Sequence, residues 1–372
     1  MTTEFIFATL LTRVTKARYQ RRKQSIKVSV NKKRVTSQDV ADLAGVSRTT
    51  VSLVLNDVEG INISPETRQK VRDAAEELGY IPNATAQALA TRRAKAIGLV
   101  MTRSPHHIAS DTFLPQILSG LLEIIKQHQL RLLIESVESE HQDRVYLELA
   151  RAKHIDGMIL LTPRIDDAAL KRLEEIDTFT VVMGKLADSN LYSVDVDNQL
   201  AARKATQYLI DIGHTQIACI SNAQPSFSSA YERVLGYKDA LIASGITPDS
   251  ELIRYADFDP QSGFACMQSL LATGKKFTAV FVASDNVAMG AKSALREAGL
   301  RIPDDISIMG FDDIPWARYS DPPLTTIRLP AQKLASEACL LLLDLMKGSE
   351  PEERNLVLDT ELVVRKSCRE SQ

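Results

Sequence analysis

Cysteine is scarce in this chain: four in 372 residues, Cys219, Cys266, Cys339 and Cys368. They form no CxxC pair and have no clustered histidine partners, so neither a zinc site nor a disulfide framework is suggested, and a reducing cytoplasm fits best. Long apolar runs are missing too. The longest in the body, Ala338 to Met346, is broken by Asp344 and falls well short of the roughly 20 residues that span a bilayer. No phosphate-binding Walker loop, GxSxG elbow, HExxH or paired-carboxylate motif occurs, and the six histidines, among them His106, His107 and His214, form no metal array. The expectation is a non-enzymatic protein without catalytic residues, metal, cofactor or membrane contact. With 44% hydrophobic and 25% charged residues, the chain is long enough for two or three compact units.

The net charge of −2 conceals an asymmetry. Up to residue 95 there are 17 basic and 9 acidic residues, and 28 and 38 after it. A head that binds a polyanion on an acidic body has this form. Most of the excess sits in residues 1–33, however, and Arg34 to Lys95 balance at eight and eight, so pattern has to carry the argument. Residues 1–33 place an apolar patch, Phe5 to Leu11, ahead of the basic stretch with Arg21, Arg22 and Lys23. That is the reverse of a secretory signal. The segment reads either as a basic arm that adds phosphate contacts or as a disordered extension outside the fold.

The most informative pattern is Val35 to Asn56. Thr36 can cap a helix from Ser37 to Ala44, with Asp39 in the capping-box position and Val40, Leu43 and Ala44 on one apolar face. Gly45 breaks that helix, and Val46 can plug the turn. Ser47 can cap a second helix, Arg48 to Asn56, with Val51, Val54 and Leu55 inward. A third follows: Ser64 caps, Pro65 takes the first position, and Val71, Ala74, Ala75 and Leu78 repeat at helical spacing up to Gly79. On spacing alone this is either a helical hairpin or a helix-turn-helix that lays its second helix in the DNA major groove. In the second case Arg48, Thr49, Ser52 and Leu53 face base edges, and Ser47, Thr50 and Asn56 are placed for phosphates.

The segments VTSQDVADLAGVSRTTVSLVLN and SPETRQKVRDAAEELGYIPNATAQALA resemble the lac-repressor (LacI/GalR) family of bacterial transcription regulators, over about Val35 to Ser367. The resemblance implies a sequence-specific transcriptional regulator, most often a repressor of carbohydrate-utilisation genes. It implies a homodimer on a near-palindromic double-stranded operator, with a sugar or sugar derivative as effector, acting in the cytoplasm at the nucleoid. It adds Thr36 to the DNA contacts. Residues 82–94 become a hinge helix in the minor groove, with Asn83 and Ala86 at the DNA and Leu89 wedged between central base pairs. The run Ala84 to Ala90 is a good helix former too short to be stable alone, so its folding can be coupled to DNA. Two departures concern the operator: Leu53 stands where relatives often carry a long polar or basic residue, suiting a thymine methyl instead, and the Asp57 to Ile63 loop is longer by about two residues than in the lac repressor itself.

After Ala96, apolar runs alternate with helical stretches, the pattern of parallel sheets covered by helices. The strands read Ile97 to Met101, Leu132 to Glu135, Met158 to Leu161, Val181 to Met183, Ile217 to Ile220, Val280 to Val282 and Ile306 to Met309, with a last strand from Leu356 to Val364. Glu232 to Ser244 and Asn286 to Ala298 read as helices. Buried parallel strands imply doubly wound α/β units, two by count. The expected fold is thus α/β: a three-helix helix-turn-helix domain over 34–81, a hinge over 82–94, and over 95–372 an effector-binding and dimerisation domain of two α/β subdomains like periplasmic sugar-binding proteins. By the resemblance, the effector meets Phe113, Asp197, Ser229, Arg233, Phe258, Ser284 and Asp312 at the strands' carboxyl ends. Carboxylates and a guanidinium bind polyhydroxylated ligands, and aromatic faces cover a sugar ring. Asp197 or Asp312 can equally cap the following helix, Arg233 can pair structurally, and the phenylalanines can be core.

Overall fold

The computed structural model describes residues 35–56, 60–82, 93–137, 142–166, 168–175, 178–186 and 189–369. The chain divides into two compact units, Met1–Thr91 and Arg92–Gln372.

Among the described residues of the first unit there are three helices: α1 (Ser37–Ala44), α2 (Arg48–Leu55) and α3 (Pro65–Glu77). Each starts on the predicted cap. Thr36 Oγ1 accepts from the Asp39 amide at 3.3 Å while Asp39 Oδ2 accepts from the Thr36 amide at 2.7 Å. Ser47 accepts from the Thr50 amide at 3.1 Å and Ser64 from that of Thr67 at 3.2 Å, satisfying amide groups that helix geometry leaves without partners. Gly45 ends α1 with φ +66°, a left-handed conformation open to glycine at no steric cost. Val40, Ala41, Val51, Val54, Val71, Ala74 and Ala75 make the core, with Val46, Leu55 and Leu78 packed against it. Leu43 is a correction, since it is 48% exposed and Ala41 is buried instead. At about 100° per residue, a face centred on Val40, Ala41 and Ala44 turns Leu43 to the flank.

The second unit holds two six-stranded sheets. The first lobe runs β1 (Ala96–Met101), α4 (Pro105–Ser110), α5 (Leu114–Gln127), β2 (Arg131–Ser136), α6 (Gln142–Arg151), β3 (Gly157–Leu161), α7 (Ala168–Glu174), β4 (Phe179–Met183) and β5 (Tyr192–Val196). The chain then enters the second lobe through α8 (Asn198–Asp211), β6 (Ile217–Ser221), α9 (Ser228–Ala243), β7 (Ile253–Tyr255), α10 (Pro260–Ala272), β8 (Ala279–Val282), α11 (Asp285–Glu297), β9 (Ser307–Asp312) and β10 (Thr325–Arg328). It returns to the first lobe with α12 (Ala331–Met346) and β11 (Asn355–Leu358), and ends in the second with β12 (Glu361–Val363). Strand orders are β2-β1-β3-β4-β5-β11 and β7-β6-β8-β9-β10-β12. All pairings are parallel except β10 with β12, so each lobe is doubly wound and offers its ligand site at the strand carboxyl ends.

The terminal strand predicted from Leu356 to Val364 is instead two strands on different sheets, β11 on the first lobe and β12 on the second. An apolar run reports burial but not the change of sheet that Asp359 and Thr360 accommodate. Strands β5, β7 and β10 went unpredicted. They are short, and β5 interleaves Ser193 and Asp195 with its valines, which masks the continuous apolar signal of a buried strand.

The packing that positions the site is tight. A Cβ on Gly290 of α11 would lie 1.7 Å from the Pro260 carbonyl oxygen and 2.7 Å from the Phe264 amide nitrogen, so α10 and α11 touch backbone to backbone. Gly290→Ala must push the helices apart, and a loss of about 1–3 kcal/mol is expected for such overpacking. The urea midpoint, with an unchanged slope, reads it.

Candidate functional site

On the first unit, Arg48, Thr49 and Ser52 of α2 are exposed, while Thr50, Leu53 and Asn56 are partly covered. The polar groups are occupied by one another. Arg48 Nε donates to Ser37 Oγ at 3.0 Å, Asn56 Nδ2 to Ser52 Oγ at 3.1 Å, and the hydroxyls of Ser47 and Thr50 lie 2.9 Å apart. These are exposed hydrogen bonds worth little net free energy, so the side chains can exchange them for bases or phosphates at small cost. Thr36 is held in its capping box. Asn83, Ala86 and Leu89 lie outside the described residues.

The second unit has a cleft between its lobes with about 830 Å³ of empty space, part of it open to solvent. That is in the range of small-molecule sites. Of the predicted effector residues, Phe113, Ser229, Arg233, Phe258, Ser284 and Asp312 line it. Asp197 does not. It is exposed and caps α8, accepting from the Leu200 amide at 2.8 Å. Its neighbours Asp195 and Asn198 line the cleft instead, because Asn198 begins a helix that turns the preceding residue outward.

Buried Arg233 is the hub. Its Nε donates to Asn198 Oδ1 at 2.9 Å and its Nη1 to the Ala283 carbonyl at 2.7 Å, with Asp312 Oδ1 at 3.5 Å. The guanidinium stacks 3.9 Å above the Phe311 ring, an arrangement suited to its planar, weakly hydrated cation. Beneath it, Asp285 is fully buried and accepts from Thr326 Oγ1 at 2.7 Å and the Ile314 amide at 3.0 Å. Burial, with Asp312 nearby, drives the Asp285 carboxyl well above the ordinary range.

Arg103, which the sequence reading missed, is a second guanidinium in the cleft. It bonds Asp111 Oδ2 at 2.5 Å and Thr162 Oγ1 at 2.9 Å, and lies 3.9 Å over Phe258. Arg103 belongs to the first lobe and Phe258 to the second, so this stack crosses the cleft. Asn286 crosses it too, donating to the Ser110 carbonyl at 3.0 Å and the Phe258 carbonyl at 2.8 Å. His107 faces Asp257 across the mouth at 3.1 Å. The one sequence signal for Arg103 and Asp195 is their place at strand ends. Three buried polar atoms of the lining have no partner: Arg103 Nε, Asn222 Oδ1 and Ser228 Oγ. Unsatisfied buried groups cost about 1–3 kcal/mol each, a cost that a bound ligand can relieve.

Enclosure pushes the Asp195 carboxyl up to about 7 against the opposing Val196 amide, with Glu232 adding to the rise. Burial pushes Asp312 up to about 6 despite Arg233 and Ser284. A carboxyl raised in the folded state stabilises fully below its unfolded value of about 4, and that contribution is lost as pH rises through the folded value. Asp195→Asn is therefore expected to lose less stability than the parent between pH 5 and pH 8. Urea midpoints across that range give the answer, and parallel pH profiles would contradict it.

A helix-turn-helix on one unit and a ligand-sized polar cleft on the other define a class: DNA-binding regulators that answer to a small molecule. The model described as "Bacterial regulatory proteins, lacI family" matches residues 36–83, and that of the periplasmic binding protein-like domain matches residues 206–368. Similar proteins include the HTH-type transcriptional regulator CelR of Thermobifida fusca, 36% identical over 90% of this chain and 99% of that one. The HTH-type transcriptional repressor CytR of Escherichia coli is 33% identical over 90% and 96%. Among solved structures, the CelR-cellobiose complex has a TM-score of 0.69 at 34% identity, covering 90% and 100% of the two chains. The lac repressor dimer bound to operator and the anti-inducer ONPF reaches 0.78 at 31%, covering 91% and 100%. The chain belongs to the lacI family of bacterial regulatory proteins and is a helix-turn-helix transcriptional regulator, not an enzyme. No helix among the described residues is long and apolar enough to cross a membrane.

Proposed function

We propose that the protein is a repressor of carbohydrate-utilisation genes whose hold on a near-palindromic operator is set by a sugar or sugar derivative in the cleft. The observation that carries this reading is the set of unpartnered buried atoms, Arg103 Nε, Asn222 Oδ1 and Ser228 Oγ, in a cleft lined also by Phe113 and Phe258. Hydroxyls of a sugar supply both acceptors and donors for them, and Phe113 and Phe258 give the lining apolar surface for the ring. The relative solved with cellobiose supports the ligand class.

On DNA, Arg48, Thr49, Ser52 and Leu53 read bases, and Ser47, Thr50, Asn56 and Thr36 hold phosphates. A homodimer matches two half-sites one helical turn apart, as the operator-bound lac repressor dimer suggests. Asn83, Ala86 and Leu89 act in the minor groove, on the strength of the sequence resemblance. The site of action is the nucleoid, in the cytoplasm. Selection from random double-stranded DNA tests the reading directly. Enrichment of a near-palindrome, bound about 10³-fold or more tighter than random DNA, is the expected result. Recovery of sequences without symmetry, or bound no better than random, would refute it.

A further inference from the structure

Five charged side chains line the cleft: Arg103, Arg233, Asp111, Asp195 and Asp312. Two ion pairs absorb four of them, Arg103 with Asp111 and Arg233 with Asp312. Asp195 is left over. Its Oδ1 accepts from the Val196 amide at 2.8 Å, and its two oxygens lie 3.2 and 3.1 Å from Asn198 Nδ2. Among the described residues, no cation lies within ion-pair distance of it. The Arg233 guanidinium is bonded to Asn198, Ala283 and Asp312 and reaches Asp195 only through space, where its pull on the carboxyl is outweighed by burial.

A second carboxylate, Glu232 on α9, sits close enough to oppose ionisation of Asp195 and shares its partner Asn198. The other unused capacity in the lining is mostly acceptor in kind. Asn222 Oδ1 can only accept, and Ser228 Oγ can accept, both buried and without partners. The unpartnered donor, Arg103 Nε, suits a hydroxyl or ring oxygen of the same ligand.

We propose that the effector is an amine-bearing sugar whose protonated amino group sits on the Asp195 carboxylate. An ammonium brings three donors and a positive charge, matching an unpaired carboxylate with an acceptor amide and a hydroxyl in one lining. A neutral hydroxyl in its place meets the hydrogen bonds but gains nothing from the charge, since Asp195 must then either stay protonated or carry an uncompensated charge in an enclosed site. Ionising Asp195 in the empty cleft is unfavourable, as its raised carboxyl shows, and a ligand cation reverses that penalty.

The inference rests on the reading of this cleft as the effector site, and the test separates the two. Calorimetric titration of the full chain would use glucosamine and its β-1,4 dimer, the N-acetylated forms with the amine blocked, and glucose and cellobiose with hydroxyl in its place. Operator affinity would be measured beside each. The free amine is expected to bind at least tenfold tighter than both counterparts, and Asp195→Asn to cut that preference below twofold in a protein whose thermal transition shows it folded. Equal or tighter binding of the neutral or acetylated sugars, no binding of the amines, or a preference that survives Asp195→Asn would overturn the amine assignment. Should cellobiose bind tightly and alter operator affinity, the amine assignment fails while the regulatory reading stands. A sugar that binds without any change in operator affinity would count against the regulatory reading itself.

Discussion

Arg233→Ala is expected to abolish the response of operator affinity to sugar and to cost the body of the protein about 3–5 kcal/mol, the usual penalty for removing one partner of a buried pair. The size follows from what the guanidinium holds. It ties Asn198, at the crossing from the first lobe to the second, to the Ala283 carbonyl beside the cleft, and it faces Asp312 above the fully buried Asp285. Alanine leaves the Asp312 carboxyl enclosed without its cation and opens a hole over Phe311. Some of the loss is recovered by protonation, since Asp312 and Asp285 already titrate high, so the penalty should grow with pH above about 6. Arg233→Lys keeps a charge but not the fork and should fall between. Denaturation and calorimetry on the two variants separate the loss of stability from the loss of ligand.

Val51→Asp is expected to lower operator affinity about a thousandfold or more, to the level of non-specific binding, and to leave sugar binding in the cleft unchanged. Val51 is 1% exposed in a core of seven buried residues, three of them alanine. A carboxylate there has no polar partner, and so small a core has no room to turn it outward. Because the helical unit and the two-lobed unit are separate, the damage should stay in the first. Fluorescence anisotropy with operator DNA and calorimetry with sugar on the same preparation distinguish this from general misfolding.

How far the sequence could be read depended on what kind of interaction set each feature. Helix starts were legible because caps are local: Thr36, Ser47 and Ser64 act on amides three residues away, and all three hold as expected. The two doubly wound lobes were legible from continuous apolar strands. Leu43 was misread because the inner face of an eight-residue helix is chosen by its neighbours, which here select Ala41. The split of Leu356 to Val364 between two sheets depends on where each sheet's edge lies, which no local pattern encodes.

The cleft was partly legible. Six of its seven predicted residues line it, and the exception is instructive. Asp197 and Asp195 are both acidic and two apart, on opposite ends of the choice between helix cap and cleft wall, and only the turn into α8 decides which is which. The roles of Arg103 and Asn286 were not legible for a different reason. Their roles come from partners 59 and 176 residues away in sequence, Thr162 and Ser110, brought together by the approach of the lobes. The unpartnered Asn222 and Ser228 atoms, too, are defined only by what fails to surround them.

If ligand in the cleft controls the helix-turn-helix, one free energy couples the two sites, and coupling of this kind is reciprocal. The most direct measurement is a closed binding cycle: operator affinity with and without saturating sugar, and sugar affinity with and without saturating operator. The expected result is a change of about tenfold or more on each leg, by the same factor, and its disappearance in Arg233→Ala. Operator affinity that does not move when the cleft is filled would show the two sites to be uncoupled.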